Sequence, residues 1–206
     1  MPQELFKTLT DYLKKNAVVC LILLAVFAAG VIAGWIVPSK ISPEDYGEMT
    51  QYLSGILQEL PQAEIDKQLE TKMAFYFNGL LLLLIWFFGL TVIGSPLVLA
   101  VLFYKGATLG MTIGFLLGMD DPQGLVTVLL AVMPQNLFFV PLFLAASLLA
   151  ATFSLRLLRK EYAGNFGREF LRYTFYFLIL LLGVGFCSYI QGHAVPWLFK
   201  SLFKFL

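Results

Sequence analysis

The stretch Lys105-Gly106-Ala107-Thr108-Leu109-Gly110-Met111-Thr112-Ile113-Gly114-Phe115-Leu116-Leu117-Gly118 decides how this chain folds. Four glycines, Gly106, Gly110, Gly114 and Gly118, recur every four residues. In an α-helix that spacing stacks them along one face, drifting by about 40° per step, and leaves a groove bare of side chains. In water such a ladder would weaken a helix by roughly 1 kcal/mol per glycine relative to alanine. In a bilayer, small-xxx-small faces are a regular means of packing spans by van der Waals contact. Close helix packing is the first reading of the groove, and a backbone-lined ligand or ion path is the second.

Composition identifies the solvent. With 59% hydrophobic residues, 13% charged residues and a mean hydropathy of +0.82, the chain reads as an all-α polytopic membrane bundle. A net charge of +1 gives no basic field for nucleic acid. Cys20 and Cys187 both lie in apolar runs, so neither a disulfide framework nor a zinc spacing is present.

Around the ladder, the apolar runs predict five spans. Residues 1–16 read as a cytoplasmic amphipathic arm with Phe6, Leu9 and Leu13 on one side and Lys7, Lys14 and Lys15 near the membrane. Residues 17–37 carry no charge over 21 positions, enough at 1.5 Å per residue to cross ~30 Å of hydrocarbon, with Trp35 at the far interface. That run is too long for a signal-peptide core and lacks a good cleavage site, so it is expected to stay as a span. Residues 38–74 hold seven acids against three lysines and form an external insert. Ser42-Pro43-Glu44-Asp45 predicts a helix start, with an apolar stripe Tyr46, Met49, Leu53, Ile56, Leu57 running up to Leu60-Pro61, and a second short helix ends near Met73. These helices either lie on the chain's own membrane domain or dock another protein.

The reversal at Gly94-Ser95-Pro96 divides span two, 75–93, from span three, 97–118. Lys105 then stands about two turns into span three, within snorkelling reach of the cytoplasmic side, and Asn78 opens span two as an interfacial or interhelical hydrogen-bonding group. Asp120 to Gly124 makes a short acidic return. Span four, 125–151, carries Pro134, Gln135, Asn136 and Pro141, and its prolines free the carbonyls of Leu130 and Leu137. Gln135 and Asn136 are expected to face the bundle interior, toward the glycine groove or Asn78. A polar clamp at a kinked crossing and a substrate or ion site are the two readings of that segment.

Residues 152–172 hold Arg156, Arg159, Lys160, Arg168 and Arg172 against two acids, which marks a cytoplasmic basic loop. Span five covers 173–190, and 194–206 read as an external interfacial helix. Nine lysines and arginines then fall inside and five outside, so the N-terminus is expected in the cytoplasm and the C-terminus outside.

Several motifs occur in a specific order: the Lys105-Gly106 ladder, Met133-Pro134-Gln135-Asn136-Leu137-Phe138-Phe139-Val140-Pro141, Phe153-Ser154-Leu155-Arg156 and Phe170-Leu171-Arg172-Tyr173. Together they resemble the stage II sporulation protein M family, over nearly the whole chain. The resemblance implies a membrane protein of endospore-forming bacteria. It would act in engulfment and anchor the peptidoglycan hydrolases stage II sporulation proteins D and P in the mother-cell membrane at the engulfing septum.

The residues themselves disfavour an enzyme. The chain has one histidine, His193, no H-E-x-x-H, no G-x-S-x-G and no acid inside a span, so no catalytic residue, metal or cofactor is expected. With what the resemblance implies, the leading function is an interaction scaffold in the lipid bilayer whose external insert and outer loop ends hold peptidoglycan-remodelling enzymes. The alternative is a small transporter or channel using Lys105, Asn78, Gln135 and Asn136. Five spans contain no evident inverted repeat, and whether a homodimer supplies one is left open by the sequence.

Overall fold

The helix α1, Ala17–Ile36, opens the bundle and ends in a 3-10 turn, Val37–Lys40. There follow α2 (Pro43–Glu59), α3 (Lys67–Gly89), α4 (Gly94–Leu117), α5 (Met133–Leu158) and α6 (Phe166–Leu202). The computed structural model describes residues 11, 14–59, 66–118, 125, 128, 132–162 and 164–202, leaving aside the side chains at 56–59 and 194–202. The amino-terminal arm, apart from positions 11 and 14–16, and the Asp120 to Gly124 return lie outside the described residues. No strand occurs among the described residues, and five helices, all but α2, are long and apolar enough to cross a membrane. The chain is an all-α, multi-pass membrane bundle.

Its outer surface is apolar in a way water would not tolerate: Val18, Leu21, Phe77, Leu83, Leu182 and Phe186 are each more than half exposed. Every span contributes to the interior, with Leu23, Ile85, Val98, Phe143 and Val184 at 0–1% exposure. Helix α5 is the central post. It touches α1, α3, α4 and α6, and 56% of its most apolar window is buried against 28% or less in the other spans. Helices α1 and α4 run in the same direction, because Phe27, Val31 and Trp35 meet Gly106, Gly110 and Gly114 in turn. Helices α3 and α6 are antiparallel, with Trp86 beside Thr174 and Thr71 beside Gly192.

The helix bounds depart from the apolar runs that predict them. The second short helix of the insert is the beginning of α3: Asp66 caps it by accepting from the N–H groups of Gln68 (2.9 Å) and Leu69 (3.2 Å), and the helix continues unbroken into span two. The reversal after α3 falls at Leu90–Ile93, earlier than the expected Gly94–Pro96. Pro96 fits the first turn of α4 because the N–H it lacks would have no intrahelical acceptor there. In α5 Pro134 lies in the first turn and Pro141 is interior, while Val132, just before the helix, already has helical dihedrals. At its far end α5 runs on to Leu158 and α6 begins at Phe166, so the basic connection shrinks to a few residues around Lys160 and Gly164. Helix α6 then continues without a break to Leu202, through the start of the expected separate interfacial helix.

Candidate functional site

Glycine brings α1 and α4 into backbone contact. A methyl group placed on Gly106 would lie 2.5 Å from the Phe27 carbonyl oxygen, and one on Gly110 would collide with the Val31 carbonyl. The seam is reciprocal. Gly30 and Gly34 of α1 stand against the carbonyls of Phe103 and Ala107 in the same way. Each glycine therefore aims a Cα–H at a carbonyl of the facing helix, a weak bond that repeats four times along the seam. The Gly30-Val31-Ile32-Ala33-Gly34 spacing is the small-xxx-small signal that sequence reading passed over. Farther along, Gly114 meets Trp35 and Pro38, and Gly118 meets the Tyr46 hydroxyl.

Lys105 lies at the centre of α4, eleven residues and about 16 Å from Gly94. That depth exceeds the length of a lysine side chain, so the expected snorkelling does not occur. The ammonium turns sideways and donates to Asn78 Oδ1 at 2.8 Å, while the Asn78 amide donates to the Ala74 carbonyl at 2.8 Å. The rings of Phe139 and Phe143 stand 5.6 and 5.1 Å from Lys105 Nζ and supply their negative faces to the charge. Asn78 is 8% exposed and has left the interface for the interior. Gln135 and Asn136 do not join this pair. Asn136 Nδ2 donates to the Val132 carbonyl, one turn back along the chain, at 2.8 Å, Gln135 is half-buried nearby, and α1 fills the middle of the glycine groove toward which they were expected to point.

The opposite end of the bundle gathers the arginines with the reversal between α3 and α4. Ser154 Oγ donates to the Thr91 carbonyl at 2.8 Å and accepts from the Ser95 N–H at 3.1 Å, which pins the turn to α5. Tyr173 donates to the Trp86 carbonyl at 2.9 Å and stacks on Phe153 at 4.4 Å. The Phe153-Ser154 and Arg172-Tyr173 motifs thus fasten one end of four helices, α3 to α6. Arg156 and Arg159 pair with Glu161 at 4.0 and 3.8 Å, Lys160 occupies the turn at φ 57°, Arg168 lies exposed in the first turn of α6, and Arg172 donates to Tyr176 at 3.3 Å. Exposed pairs of this kind add little stability, and their sum of charge matters more for placement in the membrane.

Among the described residues no group of three or more His, Cys, Asp or Glu side chains could hold a metal, and His193 stacks on Tyr189 at 4.1 Å. The arrangement defines a class: a five-span helical membrane protein, closed by a glycine seam and carrying a short helical platform, α2, at one end. Residues 23–187 match the family profile of stage II sporulation protein M, from inside α1 to inside α6, and the chain belongs to that family. It is accordingly a sporulation-related membrane protein. No curated protein and no solved structure matches the chain.

Proposed function

We propose that this protein is a non-enzymatic anchor that holds the stage II sporulation proteins D and P, and so the cutting of septal peptidoglycan, at the engulfing mother-cell membrane. The observation that carries this reading is the posture of α2. Its Tyr46 ring stacks on Phe115 of α4 at 5.8 Å, which ties the helix to the bundle, while Asp45, Glu48, Met49 and Tyr52 all face away, with Met49 and Tyr52 at 49% and 70% exposure. The helix start is held by Ser42, whose Oγ accepts from the Asp45 N–H at 3.2 Å. A tethered helix with charged, thioether and phenol groups outward is suited to engaging another protein. In this reading the arginine-rich end lies in the mother-cell cytoplasm and α2 outside, in line with the excess of Lys and Arg around the α5–α6 turn. The transport alternative finds less support, since Lys105 and Asn78 are bonded to each other and Asn136 to the Val132 carbonyl. Charge reversal on α2 is the test: both enzymes should lose their attachment to the membrane while the anchor remains inserted.

A further inference from the structure

The glycine groove is longer than the helix that fills it. Helix α1 stops at Ile36 and the chain turns away through Val37–Lys40, whereas α4 continues to Leu117. Beyond the seam, between that corner, the start of α2 and the last turn of α4, lies a cavity of about 670 Å³ lined in part by Trp35, Pro38, Tyr46, Gly114 and Leu117. This volume falls within the range of small-molecule sites.

Two features say what belongs in it. The lining residues at the mouth are apolar: Trp35 is 59% exposed, and Ile36 and Leu117 are each 45% exposed. They sit at the ends of two spanning helices, at the level where an indole marks the membrane interface, so the mouth opens toward lipid. Among the described residues no charged side chain lines the cavity, but the exposed Lys40 stands between the lining residues Ser39 and Ile41 and has no ion pair with a described acid. A hydrocarbon chain satisfies the walls, and a phosphate satisfies the cation at the rim.

We propose that this cavity binds one membrane phospholipid with an anionic headgroup, its acyl chain under Tyr46 and against Gly114, its phosphate beside Lys40. The assignment is independent of the anchoring role. Leu117→Trp fills the mouth from an exposed position that the fold tolerates, and Lys40→Glu reverses the rim charge without touching the walls. The test is native mass spectrometry of the full chain in detergent, titrated with dioleoyl-phosphatidylglycerol or dioleoyl-phosphatidylcholine. One phosphatidylglycerol per chain should be retained, with at least a tenfold loss of affinity in Leu117→Trp. In Lys40→Glu, the preference over phosphatidylcholine should disappear while residual chain binding persists. Wild-type retention of phosphatidylglycerol by Leu117→Trp overturns the proposal, as does displacement of the lipid by inorganic phosphate alone. A lipid-free dimer that Leu117→Trp converts to monomer would give the cavity to a second copy and also overturn it.

Discussion

Lys105 Nζ of α4 lies 2.8 Å from Asn78 Oδ1 of α3, a charge-assisted bond at the middle of the bundle between two phenylalanine rings. Replacing Lys105 with Met leaves a buried amide oxygen without its donor, and the expected cost is about 1–2 kcal/mol. Asn78→Leu strands the ammonium instead and should cost more, while the double substitution should recover part of the loss. A double-mutant cycle on unfolding in detergent measures this coupling, and strictly additive single effects would remove the pair from the account of stability.

Gly110→Leu should separate α1 from α4, because its side chain would have to enter the Val31 carbonyl. The expected destabilisation is about 3 kcal/mol, and Gly34→Leu should match it from the other side. Gly55 and Gly167 provide the controls, since a Cβ on either meets nothing within 4 Å, and leucine there should be neutral or mildly stabilising. Thermal unfolding of the four variants is the measurement; equal effects at seam and control glycines would contradict the seam.

The number of spans was legible because each apolar run falls in the length range of a membrane-spanning helix, and the ladder Gly106 to Gly118 declared a close approach before its partner was known. Helix ends were less legible for a physical reason. Helices α3 and α6 extend past the lipid into water with charged first turns, Lys67 to Lys72 and Arg168 to Arg172, so hydropathy falls before the backbone changes. The depth of Lys105 was misjudged because its span begins at Gly94, ahead of Pro96, and because lysine position is set by a neighbour on another helix, Asn78. The role of Ser154 had no local signal at all, being a contact across 63 residues with Thr91.

Ser154→Ala should cost about 1–2 kcal/mol, since both the Thr91 carbonyl and the Ser95 N–H lose a partner in the interior. Ser147 is equally buried, at 0% exposure, but its hydroxyl has no hydrogen-bond partner. Ser147→Ala should therefore be neutral or slightly stabilising. Side-by-side melting of the two alanine variants checks the contrast, and an equal loss in both would contradict it.

Membrane orientation is checked by labelling. In a background with Cys20 and Cys187 replaced, a cysteine at Tyr52, which is 70% exposed on α2, should react with an impermeant thiol reagent in intact cells. A cysteine at Gly164, in the turn after α5, should react only after permeabilisation. The reverse pattern would invert the topology.

The most direct measurement of the anchoring role is co-purification of tagged stage II sporulation proteins D and P with the full-length chain from sporulating cells. The comparison is between wild type and a variant carrying Asp45→Lys, Glu48→Lys and Tyr52→Ala on the exposed face of α2. Exposed substitutions of this kind seldom disturb folding, so the variant should insert at the wild-type level. If α2 holds the enzymes, their recovery should fall at least tenfold, equivalent to about 1.4 kcal/mol or more of lost binding. Full recovery of both enzymes from the inserted variant would contradict the anchoring role assigned to this face.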